Sequence, residues 1–271
     1  MPTRIPKEED FEELSSSLKF TLTYPEVRET TTAILLIFHG LGDSERAFTT
    51  FAQSVNLPGV LGISVRGVSP LPPALLGLPE GSAPLNNHFH WGDDLTISDA
   101  TGQLDLDPGF GKAMDRVLGR LVRDVLVAKC GWDTRDILLF GFGQGGSVAL
   151  GLASKLRDAA KATDASSSAT PEEGSMTAFK GAVSIGGPLP ASTIPTVSAR
   201  DKARTPVLVC RGRSSESDLD ADALDVLQEE FADVRDVQWQ KPDDGMPASR
   251  EEMLPIMKFF AERLAAPGFE G

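Results

Sequence analysis

Histidine is scarce in this chain. There are three in 271 residues, His39, His88 and His90, and none follows residue 90. Chemistry that needs an imidazole in the C-terminal two thirds is excluded. Cysteine is as rare: Cys130 and Cys210 are the only two. Each is flanked by apolar residues, so buried reduced thiols are expected rather than a disulfide framework, and no metal-binding spacing is present. Positive charge is also short, with 26 Lys and Arg against 39 Asp and Glu and a net charge of −13. Such a surface repels nucleic acid and anionic membranes, so neither is an expected partner. No apolar run approaches membrane-spanning length, and the first ten residues hold no apolar signal core. Stable membrane insertion is therefore not expected, and a cytoplasmic location is.

The remaining composition is that of a globular protein, 41% hydrophobic and 24% charged. The expected organisation is a loose polar arm over residues 1–15, then one α/β domain over 16–267. Leu18, Phe20, Leu22 and Tyr24 alternate with polar residues, which predicts a half-exposed edge strand. Ile34–Phe38 is continuously apolar, as in a strand covered on both faces. Further strands are expected at 60–65, 137–140, 181–185, 206–210 and 234–239. Helices are expected near 44–55, 109–129, from about Gln144, 224–231 and from Ser249 onward. Strands alternating with helices in this way predict a mostly parallel sheet with helices on both faces. Residues 69–85 hold five prolines and several leucines, which predicts a greasy, lid-like loop. Residues 163–178 are too poor in apolar residues to order themselves, and a flexible insertion is expected.

Residues 141–146 read Gly-Phe-Gly-Gln-Gly-Gly. An apolar strand precedes them and a helical stretch follows. This is the setting of the G-x-S-x-G elbow, a strained turn that lifts a serine hydroxyl above a sheet. Here Gly143 takes the place of the serine. Three segments occur in order: Phe38-His39-Gly40-Leu41-Gly42-Asp43, the turn at 141–146, and the strand end Ala182–Gly187 with Pro188-Leu189-Pro190. Together with Phe89-His90-Trp91-Gly92-Asp93 they resemble the acyl-protein thioesterase and carboxylesterase family of α/β-hydrolases, over residues 18–265.

The resemblance implies an α/β-hydrolase fold with a mostly parallel central sheet, and ester or thioester hydrolysis without a cofactor. It implies an oxyanion hole from the amides of Leu41 and Gln144, and a pocket near His39, His90, Trp91 and Asp93. It also implies that the nucleophile, acid and base positions are occupied by Gly143, Ser215 and Met246. Glu216 is adjacent to the acid position. A hydroxyl nucleophile needs a neighbouring base, and the base an orienting carboxylate. The first reading is therefore a catalytically impaired binding or regulatory homologue, for an acyl chain or an acylated protein. A second is an active ester or thioester hydrolase using His88 or His90 with Asp93 or Asp94. A third is a protein–protein scaffold. The family resemblance leaves homodimerisation open. Ser147, one turn into the helix, is expected to be a packed or exposed helix serine rather than a nucleophile. The His88-Phe89-His90 pair lacks a third ligand at diagnostic spacing, so no metal is expected.

Overall fold

Three hexapeptides nearly free of charge form the centre of the molecule. In the computed structural model they are β2 (Ala33–Phe38), β3 (Val60–Val65) and β6 (Ile137–Phe142), buried along almost their whole length. The structure describes residues 3–79, 82–83, 85–95, 104–105, 107–157, 176–194, 201–214 and 217–265. The expected insertion at 163–178 lies outside them, except for its last three residues. The other main-sheet strands are β1 (Phe20–Thr23), β7 (Gly181–Ile185), β8 (Val207–Arg211) and β9 (Val234–Gln238). Their order is β1-β3-β2-β6-β7-β8-β9. Every neighbouring pair is parallel except β1–β3, so the predicted edge strand is the antiparallel one.

Strand side chains alternate between two cores. Ile34, Leu36 and Phe38 of β2 join one apolar cluster with Val117, Leu121 and Val148, while Ala33, Leu35 and Ile37 join the other with Phe48, Phe259 and Phe260. One face is covered by α3 (Gln144–Lys155) and by a long helix, α-helical over α2 (Gly111–Met114) and π-helical from Asp115 to Lys129. The other face is covered by α1 (Glu45–Val55) and α5 (Arg250–Ala265). Full burial of a large apolar side chain contributes about 1.5–3 kcal/mol, so both cores are substantial. Helix α4 (Ala221–Glu230) is capped by Asp220, which accepts from Ala223 N–H at 2.9 Å.

The N-terminal segment departs from expectation. Residues 8–16 form two short 3₁₀ turns, and Phe11 and Leu14 are buried in the first core. Arg4 makes a two-pronged ion pair with Asp10, and its N–H donates to Cys130 O. A strongly acidic stretch can still dock when two apolar residues at three-residue spacing find a core, and here they do. The proline-rich loop is neither long helix nor central strand, as expected. It contributes one 3₁₀ turn at Pro73–Leu76 and a two-residue strand, β4 (Ser69–Pro70), paired with β5 (Phe89–His90).

Candidate functional site

The turn between β6 and α3 has the shape that the sequence predicts. Gly143 sits at φ 51°, ψ −123°, a region that L-residues rarely occupy. Its N–H donates to Ile185 O at 2.8 Å, and its carbonyl accepts from Gly146 and Ser147 N–H. Gly145 lets α3 come close to β2: a Cβ there would lie 2.3 Å from Phe38 O. At Gly143 a Cβ would meet only Gly40 Cα, at 4.0 Å. Space for a side chain therefore exists at 143, and the residue supplies none.

The loop after β2 is held by His39, which is fully buried. Gly67 N–H donates to His39 Nε2 at 2.8 Å. The ring proton must then reside on Nδ1, which donates to Gly40 O at 2.7 Å. Gly40 O also accepts from Asp43 N–H at 3.2 Å. In a trans peptide the C=O and the next N–H point in opposite directions. Fixing Gly40 O toward His39 therefore turns Leu41 N–H away from the ring. Trp91 completes the brace: its Nε1–H donates to His39 O, and its N–H donates to Gln144 Oε1. Burial pushes the His39 imidazole below its ordinary pKa. Both nitrogens are engaged and the ring is neutral, so it is a strut rather than a base.

The loops after β8 and β9 meet at a carboxylate. Asp244 accepts from Gly212 N–H at 2.6 Å through one oxygen and from Ser217 Oγ–H at 2.7 Å through the other. It stands against Gly186, where a Cβ would lie 2.7 Å from Asp244 Cβ. Met246 instead turns into the second core, and Lys241 Nζ holds its carbonyl at 2.8 Å. Ser215 and Glu216 lie outside the described residues. Counting back from the final helix directs attention to Met246 and misses Asp244. The signal was the adjacent Asp-Asp-Gly, whose second carboxylate could reach an amide on the neighbouring loop.

Gly40, Leu41, Phe142, Gly143, Gln144 and Ser147 border one cleft of about 290 Å³. Its lining also includes Leu95, Leu104, Pro188, Asp105 and Asp218. Burial, followed by the nearby charges of Asp244 and Asp220, raises the Asp218 pKa. No Lys, Arg or His is among the described residues that line the cleft.

His39, His90, Trp91 and Asp93 do not line it, which corrects the pocket expected there. His39 and Trp91 brace it from behind. Asp93 is committed elsewhere: its carboxylate accepts from Gly111 and Lys112 N–H at the start of α2. His88 Nδ1 lies 2.7 Å from Gly42 O. His90 is buried, its Nδ1 finds no partner among the described residues, and burial with nearby Lys112 lowers its pKa. Asp94 makes no hydrogen bond to either histidine among the described residues. No group of three candidate metal ligands occurs among the described residues. Ser147 is 2% exposed, the packed alternative of the two.

A mostly parallel sheet with helices on both faces, and a strained strand-to-helix turn at its carboxyl edge, define an α/β-hydrolase. The chain belongs to the phospholipase/carboxylesterase family, whose model matches residues 24–260. Over 117 residues it is 34% identical to an uncharacterized hydrolase of Schizosaccharomyces pombe, a match covering 43% of this chain and 44% of that protein. The matched stretch is thus less than half of that relative. Among solved structures it is similar to Zea mays acyl-protein thioesterase 2, with a TM-score of 0.60, 18% identity, and coverage of 91% of this chain and 99% of that one. It is also similar to the Bacillus cereus carboxylesterase, with a TM-score of 0.62, 16% identity, and coverage of 95% and 100%. These two likenesses establish the fold. Among the described residues no helix is long and apolar enough to cross a membrane.

Proposed function

We propose that this chain is a catalytically impaired member of its family, and that its cleft binds an acyl group rather than hydrolysing it. One observation carries the reading: the elbow residue is Gly143, in the lining of an otherwise formed cleft. No imidazole lines that cleft, and the nearest brace, His39, has both nitrogens bonded to backbone. A backbone donor pair needs no particular side chain. Leu41 and Gln144 could therefore still receive an acyl carbonyl, with Leu41, Leu95, Leu104 and Phe142 offering apolar contact. The ligand would be a short acyl group, free or carried by a protein.

Treatment with a serine-directed fluorophosphonate tests this. The expected result is no labelling of the native protein under conditions that saturate an active carboxylesterase. Rapid labelling, abolished by Leu41→Pro in the donor loop, would overturn the proposal.

A further inference from the structure

The charge in the cleft lining narrows the ligand class. This step rests on the acyl-binding reading above. The cleft lining brings together the Leu41 and Gln144 backbone, apolar walls, and two exposed aspartates, Asp105 and Asp218, and no cation among the described lining residues balances their charge. Asp218 has no ion-pair partner among the described residues, and the charged groups acting on it are Asp244 and Asp220, both negative. Asp105 takes one backbone N–H, from Asp107 at 2.9 Å, and no cation among the described residues. Asp107 is occupied with Ser192. A carboxylate or phosphate head group entering here would meet like charge. An ammonium head group would meet two carboxylates that have no ion-pair partner among the described residues.

We infer that the cleft selects acyl compounds bearing a cationic head group, with Asp218 and Asp105 as the residues that set this preference. The acyl carbonyl lies toward the Leu41 and Gln144 amides, the chain against Leu95, Leu104 and Phe142, and the ammonium beside the two aspartates. The head group remains partly solvated because Asp218 is exposed. Its attraction is therefore of the size of an exposed ion pair and is screened by salt.

Three matched amides test this by calorimetry or ligand-observed NMR on the full chain. They are N-octanoylethylenediamine (cationic), N-octanoylethanolamine (neutral) and N-octanoylglycine (anionic). The expected order of affinity is cationic, neutral, anionic, with about tenfold between the extremes. Raising the salt from low to 0.5 M should compress that spread. Asp218→Asn should weaken the cationic amide about threefold relative to the neutral one and improve the anionic one relative to it. Asp105→Asn should act in the same direction. If the neutral amide binds while the order is flat or reversed, the head-group inference fails and the acyl-binding reading stands. If none of the three binds, the acyl-binding reading itself fails.

Discussion

Restoring a serine at the elbow separates shape from chemistry. Gly143→Ser introduces a Cβ into free space, since its nearest neighbour would be Gly40 Cα at 4.0 Å. No clash opposes the change. The backbone does: φ 51° with ψ −123° is sparsely populated for any residue with a side chain. Holding such a residue there costs about 1–3 kcal/mol. At roughly 2–4 °C per kcal/mol for a domain of this size, the melting temperature should fall by about 2–12 °C. Gly143→Ala should fall by the same amount, because the strain belongs to the Cβ and not to the hydroxyl.

Activity should not follow. A serine hydroxyl without a neighbouring base is a weak nucleophile. The nearest imidazole, His39, is neutral and bonded at both nitrogens, to Gly67 N–H and to Gly40 O. The assay compares fluorophosphonate labelling and octanoyl ester turnover of Gly143→Ser with those of Gly143→Ala and the native chain. The three should be indistinguishable. A gain of ~10² or more in the serine variant alone, the size a positioned base contributes, would show that a base does reach residue 143. It would refute the reasoning.

Two further outcomes follow from buried polar groups. His39→Ala leaves Gly67 N–H without its acceptor and empties a fully buried site, at a cost of about 2–4 kcal/mol in urea unfolding. The native His39 also sets a pH dependence: its folded pKa lies below the ordinary value, so the unfolded chain takes up the proton first as pH falls below ~6.5. Stability should decline there by up to about 1.4 kcal/mol per unit for this site, and the slope should shrink in His39→Gln. Asp10 behaves as a depressed carboxylate, held low chiefly by the Arg4 hydrogen bonds. Its contribution is complete above ~4 and is lost as pH falls through its folded value. Asp10→Asn should lower stability at pH 7 and flatten the acid limb. Trp132 fluorescence reports the change, since its Nε1–H donates to Arg4 O at 2.9 Å.

The middle of the sheet was legible because its strands are apolar runs, and such runs have few alternatives to central strands. The elbow was legible because Gly-Phe-Gly-Gln-Gly-Gly joins a strand to a helix. The docked N-terminal segment was not: Phe11 and Leu14 are isolated among acidic residues, and only the tertiary core shows where they go. The long helix was read from Met114, Val117, Leu121 and Val125, but not its π-helical hydrogen bonding, which leaves no mark in a 3.6-residue pattern. At the final helix, Glu252 N–H donates to Ser249 Oγ at 3.2 Å, and its carboxylate accepts from Ala248 N–H at 2.8 Å. The rim was hardest. Chain counting orders residues but does not say which one turns inward, and it is Asp244, not Met246, that spans two loops.

The contacts that shape the cleft make no demand on reactive side chains. Gly145 is fixed by the approach of its backbone to Phe38 O and His39 O. The Leu41 peptide is aimed by His39, which is anchored by Gly67 and braced by Trp91. Gln144 is tied through its side-chain oxygen to Trp91 N–H. None of these bonds involves a group at 143 or 246. The loops after β8 and β9 are joined by the Asp244 carboxylate and by backbone bonds from Arg213 N–H to Lys241 O and from Ser214 N–H to Pro242 O. The Leu41 and Gln144 side of the cleft can therefore keep its form whether residue 143 carries a hydroxyl or a hydrogen. Stability and site shape then exert no pull toward serine, and the Gly143 backbone favours glycine by the same ~1–3 kcal/mol that any side chain there would cost.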